Sequence, residues 1–164
     1  MEITIREATA ADVPLILQFI RGLAEYERLA NKVTASEAGL RESLFGPKPA
    51  AEVVIAEAGR EPVGFALFFH NYSTFLGQRG LYLEDLFVKP EWRHRGVGRR
   101  LLAHLARVAV ERQCGRFEWA VLDWNDPAIR FYRSLGAQPL DDWTVFRVTG
   151  EALAALAASA PAGV

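Results

Sequence analysis

The sequence has a single cysteine, Cys114, among 164 residues. No intramolecular disulfide is possible, which excludes a small disulfide-stapled secreted fold. No apolar run approaches the roughly 20 residues that cross a bilayer. The opening MEITIREATAAD is acidic and has no leader-like apolar core. Both absences predict a cytoplasmic protein with no membrane partner. Charge of one sign is also missing: 19 Lys and Arg stand against 20 Asp and Glu, a formal net charge of −1. Binding nucleic acid by neutralising phosphates needs clustered excess cations, so no nucleic-acid partner is expected. His70, His94 and His104 do not stand at ligand spacing from one another or from Cys114, and no metal is expected. There are no repeats and no low-complexity linker. The length suits one domain over residues 1–164, with residues 150–164 as a C-terminal helix and tail.

What is present reads as alternating β and α signals. Residues 2–7 alternate, with Ile3 and Ile5 on one side, and predict a strand. Thr9 and Asp12 have capping-box spacing and open a helix whose apolar face is Val13, Ile16, Leu17, Ile20, Leu23 and Ala24. Thr34 and Glu37 repeat that spacing and open a second helix ending near Gly46-Pro47. Residues 53–57, 63–72 and 81–88 predict three strands. Residues 97–112 predict a helix stopped by Gly115, and residues 117–122 a further strand. Asp126 caps a short helix with Pro127 at its first position and Gly136 past its end. Two last strands are predicted around 138–141 and 144–148. The order β-α-α-β-β-β-α-β-α-β-β predicts an α/β chain with a mixed sheet of about six to seven strands flanked by about four helices.

The sharpest motif is LYLEDLFVKPEWRHRGVGRRLL, residues 81–102. A strand runs through a short loop into Arg93-His94-Arg95-Gly96-Val97-Gly98-Arg99 and a helix. Glycines let a ligand approach the backbone closely. Unpaired amides and the helix dipole favour an anion at a helix start. With Arg93, Arg95, Arg99 and Arg100 around the turn, a pyrophosphate is the natural guest. The same short pattern also fits a plain glycine-containing βα turn with solvated arginines. It lacks the three glycines of the dinucleotide fingerprint and the Lys-Ser/Thr of a P-loop.

Arg93-x-x-Gly96-x-Gly98 resembles the Arg/Gln-x-x-Gly-x-Gly/Ala pyrophosphate loop of the GCN5-related (GNAT) acetyltransferases. Asn125-Asp126-Pro127-Ala128-x-x-Phe131-Tyr132-x-x-x-Gly136-Ala137 resembles their second signature. The two stand in the family's order, and the element order resembles the GNAT fold over nearly the whole chain. Ile5-Arg6-x-Ala8-Thr9-Ala10-Ala11-Asp12, Leu23-Ala24-Glu25-Tyr26-Glu27, Tyr82-Leu83-Glu84-Asp85 and Trp124-Asn125-Asp126-Pro127 are similar to the spermidine/spermine (diamine) and thialysine acetyltransferase subfamily. Residues 141–146 are a shorter stretch than in the polyamine enzymes.

The resemblance implies acetyl-CoA as cosubstrate, a small-molecule primary amine as acceptor, direct attack in a ternary complex, and a homodimer with a shared groove. It implies that Tyr132 is the general acid toward the departing thiolate. A phenol with an ordinary pKa near 10 is protonated at neutral pH and can donate. Glu84 is the candidate base and amine ligand: burial in an apolar strand would raise its pKa. A carboxylate facing solvent or paired with an arginine also fits that position. Asp85 should face the other side of the sheet unless a β-bulge intervenes. Coenzyme contacts are implied for Leu86, Phe87, Val88, residues 93–99, Asn125, Pro127, Ala128 and Tyr132. Acceptor contacts are implied for Tyr26, Glu27, Glu84, Asp85 and Asp142. Two other readings remain open. One is a different acceptor (an amino acid, an aminoglycoside or a protein amine). The other is a coenzyme-binding module without catalysis.

Overall fold

The structure, a computed structural model, describes residues 1–163. It comprises two compact units, Met1–Leu122 and the chain from Asp123 onward.

In the first unit, β1 (Ile3–Glu7), β2 (Glu52–Ala58), β3 (Glu61–Ser73), β4 (Gln78–Val88) and β5 (Phe117–Trp119) form one sheet in sequence order. The first four strands are antiparallel, whereas β5 runs parallel to β4. That reversal requires a crossover, and α3 (Val97–Glu111) supplies it. The helix α1 (Val13–Tyr26) begins after a 3₁₀ turn at Ala10–Asp12, where the Thr9 amide donates to Asp12 Oδ2 at 2.8 Å. The helix α2 (Glu37–Phe45) is capped by Ser36, whose Oγ accepts from the Gly39 amide at 3.1 Å, and not by Thr34. Ser36 takes the cap because it directly precedes the first helical residue.

Ile16 and Phe19 of α1 pack on Val53, Ile55, Phe65 and Phe87 of the sheet, with Leu44 of α2 closing the cluster. Phe19 stacks on Phe65 at 5.3 Å between centroids and 15°. Each such side chain contributes about 1.5–3 kcal/mol when removed from water, so this layer fixes α1 on β3 and β4. On α3 the buried residues are Val97, Leu101, Leu102, Leu105 and Ala109.

The second unit contains α4 (Asp126–Ser134) and α5 (Gly150–Ala158). The strands expected at 138–141 and 144–148 are absent, and the expected strand at 117–122 stops at Trp119. The sheet therefore has five strands, not six or seven. An alternating segment becomes a strand only when another strand accepts its ladder, and the second unit offers none among the described residues. Trp143, Val145 and Phe146 of this segment are 78%, 88% and 92% exposed.

Candidate active site

The end of β4 and the start of α3 organise the first unit. Gly64 lets β3 and β4 close together: an added Cβ there would lie 2.6 Å from the Phe87 carbonyl oxygen. The Lys89 amide donates to Val63 O at 2.8 Å and ends the pairing. Pro90–Trp92 forms a 3₁₀ turn, and Gly96 caps α3 with φ +81, a left-handed conformation suited to glycine. The Arg93 amide donates to Pro90 O. Among the described residues, the six following amides, His94 to Arg99, donate to no oxygen. A Cβ at Gly96 would meet nothing within 4 Å, and one at Gly98 only Val88 Cγ2 at 3.9 Å. The amide row thus opens onto free space.

The arginines around it are not equivalent. Arg100 Nη1 donates to Ile3 O at 3.1 Å, and Arg95 lies over the Trp92 ring at 5.0 Å. Arg93 Nε donates to Val88 O at 3.1 Å, and its guanidinium lies 4.8 Å from the Tyr26 ring centroid and 5.7 Å from that of Phe87. Among the described residues Arg99 makes no such contact. Arg99 and Arg100 sit in the first turn of α3, where cations oppose the helix dipole. A bound anion reverses that disadvantage.

Along the sheet, β4 pairs with β5 only from Leu81 to Leu83. Leu86, Phe87 and Val88 pair with β3 alone, leaving one strand edge for another extended chain. Phe87 is buried beneath α1, and a Cβ at Gly22 would lie 2.7 Å from its Cζ.

Glu84 is the extra residue of a β-bulge: Leu67 faces Asp85 while Phe68 faces Leu83. The bulge overturns the expectation for burial at this pair. Glu84 is exposed, and Asp85 is the half-buried carboxyl. Burial pushes the Asp85 pKa up to about 6, helped by the charges of Glu84 and Glu27. Burial also raises Glu27, again with the Glu84 charge adding to it. Glu27 is the C-terminal cap of α1, and Arg28 follows with φ +61. Tyr26 is the last residue of α1 and is 39% exposed. The expected acceptor residues Tyr26, Glu27, Glu84 and Asp85 are thus gathered where α1 ends over β4. Among the described residues, none of the three carboxylates forms an ion pair. Burial, together with Glu84 and Glu118, raises the Tyr82 phenol as well. Glu118 stands in register with Tyr82 and was not among the expected residues.

In the second unit, Asn125 is buried and caps α4, its Oδ1 accepting from the Ala128 amide at 3.4 Å, and Pro127 lies in the first turn. Tyr132 is half-buried on α4, with its ring 5.7 Å from that of Phe131. Asp142 is exposed in the turn after Leu140.

The acetyltransferase (GNAT) family model matches residues 20–137, which takes in both the amide row and α4. The chain belongs to this family. As a GNAT enzyme it is an acetyltransferase. It is 43% identical over 166 aligned residues to thialysine N-epsilon-acetyltransferase of Sus scrofa, covering 94% of this chain and 97% of that relative. It is 34% identical to L-ornithine N5-acetyltransferase NATA1 of Arabidopsis thaliana, covering 93% and 86%. Among solved structures, the integron cassette protein VCH_CASS6 of V. cholerae superposes with a TM-score of 0.81 at 28% identity, covering 97% of this chain and 99% of that one. No helix is long and apolar enough to cross a membrane among the described residues.

His70 and Cys114 lie away from this chemistry in sequence but meet in space. Their Nδ1 and Sγ atoms are 3.8 Å apart, while Arg112 Nη1 lies 2.9 Å from His70 Nε2 and also binds Glu52. No group of three His, Cys, Asp or Glu able to hold a metal occurs among the described residues.

Proposed function

We propose that this GNAT chain transfers the acetyl group of acetyl-CoA to the side-chain amine of a lysine-like diamino acid or a related diamine. The observation that carries this reading is the row of six unpaired amides from His94 to Arg99, at a helix start bearing Arg99. Such a row fits the diphosphate of acetyl-CoA, and Gly96 and Gly98 leave it room. The free edge at Leu86–Val88 suits the pantetheine arm as an added strand. Asn125, Pro127 and Ala128 are assigned further coenzyme contacts.

Glu27, Glu84 and Asp85 give an ammonium ion three carboxylates that form no ion pair among the described residues. The relatives' acceptors, thialysine and L-ornithine, both carry a second amine on a short chain, which supports a diamine. Asp142 is assigned a further acceptor contact.

In the reaction the amine loses a proton to Glu84, directly or through water. Its lone pair attacks the thioester carbonyl. The tetrahedral adduct collapses as the C–S bond breaks, the thiolate takes the Tyr132 proton, and the second proton on the nitrogen passes to the Tyr132 phenolate, leaving the neutral amide and restoring the phenol. Holding donor and acceptor in line supplies much of the acceleration. We assign both units to one catalytic domain, since the family model spans the boundary at Leu122. We assign the active form to a homodimer, in which a second copy covers the exposed Trp143, Val145 and Phe146. We place the enzyme in the cytoplasm, in keeping with its one free cysteine.

A thiol-release assay with acetyl-CoA and a panel of amines tests the reading. Thialysine, ornithine and diamines should release CoA, and Tyr132→Phe should lower kcat by about 10²-fold or more. Full turnover by Tyr132→Phe would remove the assigned acid. Silence of the wild type across the panel would remove the function.

A further inference from the structure

Arg93 opens the coenzyme loop, yet its polar atoms point back into the first unit. Its amide donates to Pro90 O and its Nε to Val88 O. Its guanidinium covers the Tyr26 ring at 4.8 Å and the Phe87 ring at 5.7 Å. Tyr26 ends α1, and Glu27 beside it belongs to the carboxylate cluster with Glu84 and Asp85. Phe87 is clamped under the same helix at Gly22. A continuous contact therefore runs from the amide row through one planar cation to the acceptor side of α1.

We infer that Arg93 is a positioning residue that couples the two substrate sites: a diphosphate seated on residues 94–99 fixes Arg93, and Arg93 fixes Tyr26 and Glu27 against the incoming amine. This rests on the function proposed above. A lysine cannot replace Arg93, because an ammonium ion lacks the planar face that stacks on an aromatic ring and the Nε–H that reaches Val88. Coupling of this kind is reciprocal, so the amine tightens CoA binding by the same factor that CoA tightens amine binding.

The test uses CoA and thialysine, which form a ternary complex without reaction. Calorimetry gives the affinity of each with and without the other. In the wild type CoA should tighten thialysine binding about 5-fold or more, the lower end of ordinary coupling. Arg93→Lys and Tyr26→Leu should each bring that factor close to one, and the double variant should lose no more than either single one. The coupling factor is a ratio of affinities within one protein, so it is read apart from any loss of CoA affinity that Arg93→Lys brings. The KM for thialysine should rise in both variants. Retained coupling in Arg93→Lys, or losses that multiply in the double variant, would overturn the inference. So would a wild type that acetylates thialysine without any coupling, and that result would leave the acetyl-transfer reading standing.

Discussion

Asp85 and Glu84 are neighbours with opposite environments. Asp85 is half-buried with its pKa raised to about 6, whereas Glu84 projects from the bulge into solvent. Below about pH 6 Asp85 is neutral and attracts an ammonium ion weakly; above it the carboxylate forms. The kcat/KM for the amine should therefore rise as pH climbs through 6, and Asp85→Asn should remove that limb and leave a lower, flatter profile. The stability effect has the opposite slope. The folded chain holds the Asp85 proton that the unfolded chain releases near pH 4, so this group's contribution falls as pH rises from about 4 to 6, by on the order of 2 kcal/mol. Urea denaturation at pH 5 and pH 8 should show Asp85→Asn losing that dependence. Equal pH dependence in variant and wild type would contradict the assignment. The resemblance named Glu84, Asp85, Tyr26 and Glu27 at separate places in the sequence, and the fold brings the three carboxylates together. Which carboxyl is buried was not legible, because one inserted residue switches the face of every side chain after it.

The elements followed the hydrophobic periods wherever one face met a core. The apolar stripes of α1 and α3 and the four long strands lie close to where the sequence predicts them, since each buries its apolar side against the sheet. Residues 138–148 carry the same alternation without forming a strand, because a period shows which face is apolar but not whether a partner is present. Gly64 shows a contact invisible in sequence. Gly64→Ala brings a Cβ to 2.6 Å from the Phe87 carbonyl oxygen, between two backbones that cannot yield cheaply. It should cost about 1–3 kcal/mol and pull β4 from β3 just where the coenzyme arm is assigned. Chemical denaturation should show the loss of stability, and the KM for acetyl-CoA should rise with it. A fully stable variant would mean that the two strands separate easily here.

At the scale of the molecule, the exposed Trp143, Val145 and Phe146 form too apolar a stretch to remain in water without cost. Light scattering should give twice the 18.2 kDa chain mass, and Phe146→Lys should shift the protein toward monomer with a loss of turnover. A monomer of full activity would refute the assigned assembly.

The proposed grip of the amide row on the coenzyme can be tested apart from folding by a single change. Gly98 has room for a side chain and lies in the first turn of α3, where a negative charge suits the helix dipole. Gly98→Asp should therefore melt at or above the wild-type temperature. In calorimetric titration with acetyl-CoA the wild type should bind and Gly98→Asp should lose about 100-fold or more in affinity, since the new carboxylate takes the place of the diphosphate. Equal affinity in the two proteins, each shown to be folded, would mean that residues 94–99 do not hold the coenzyme.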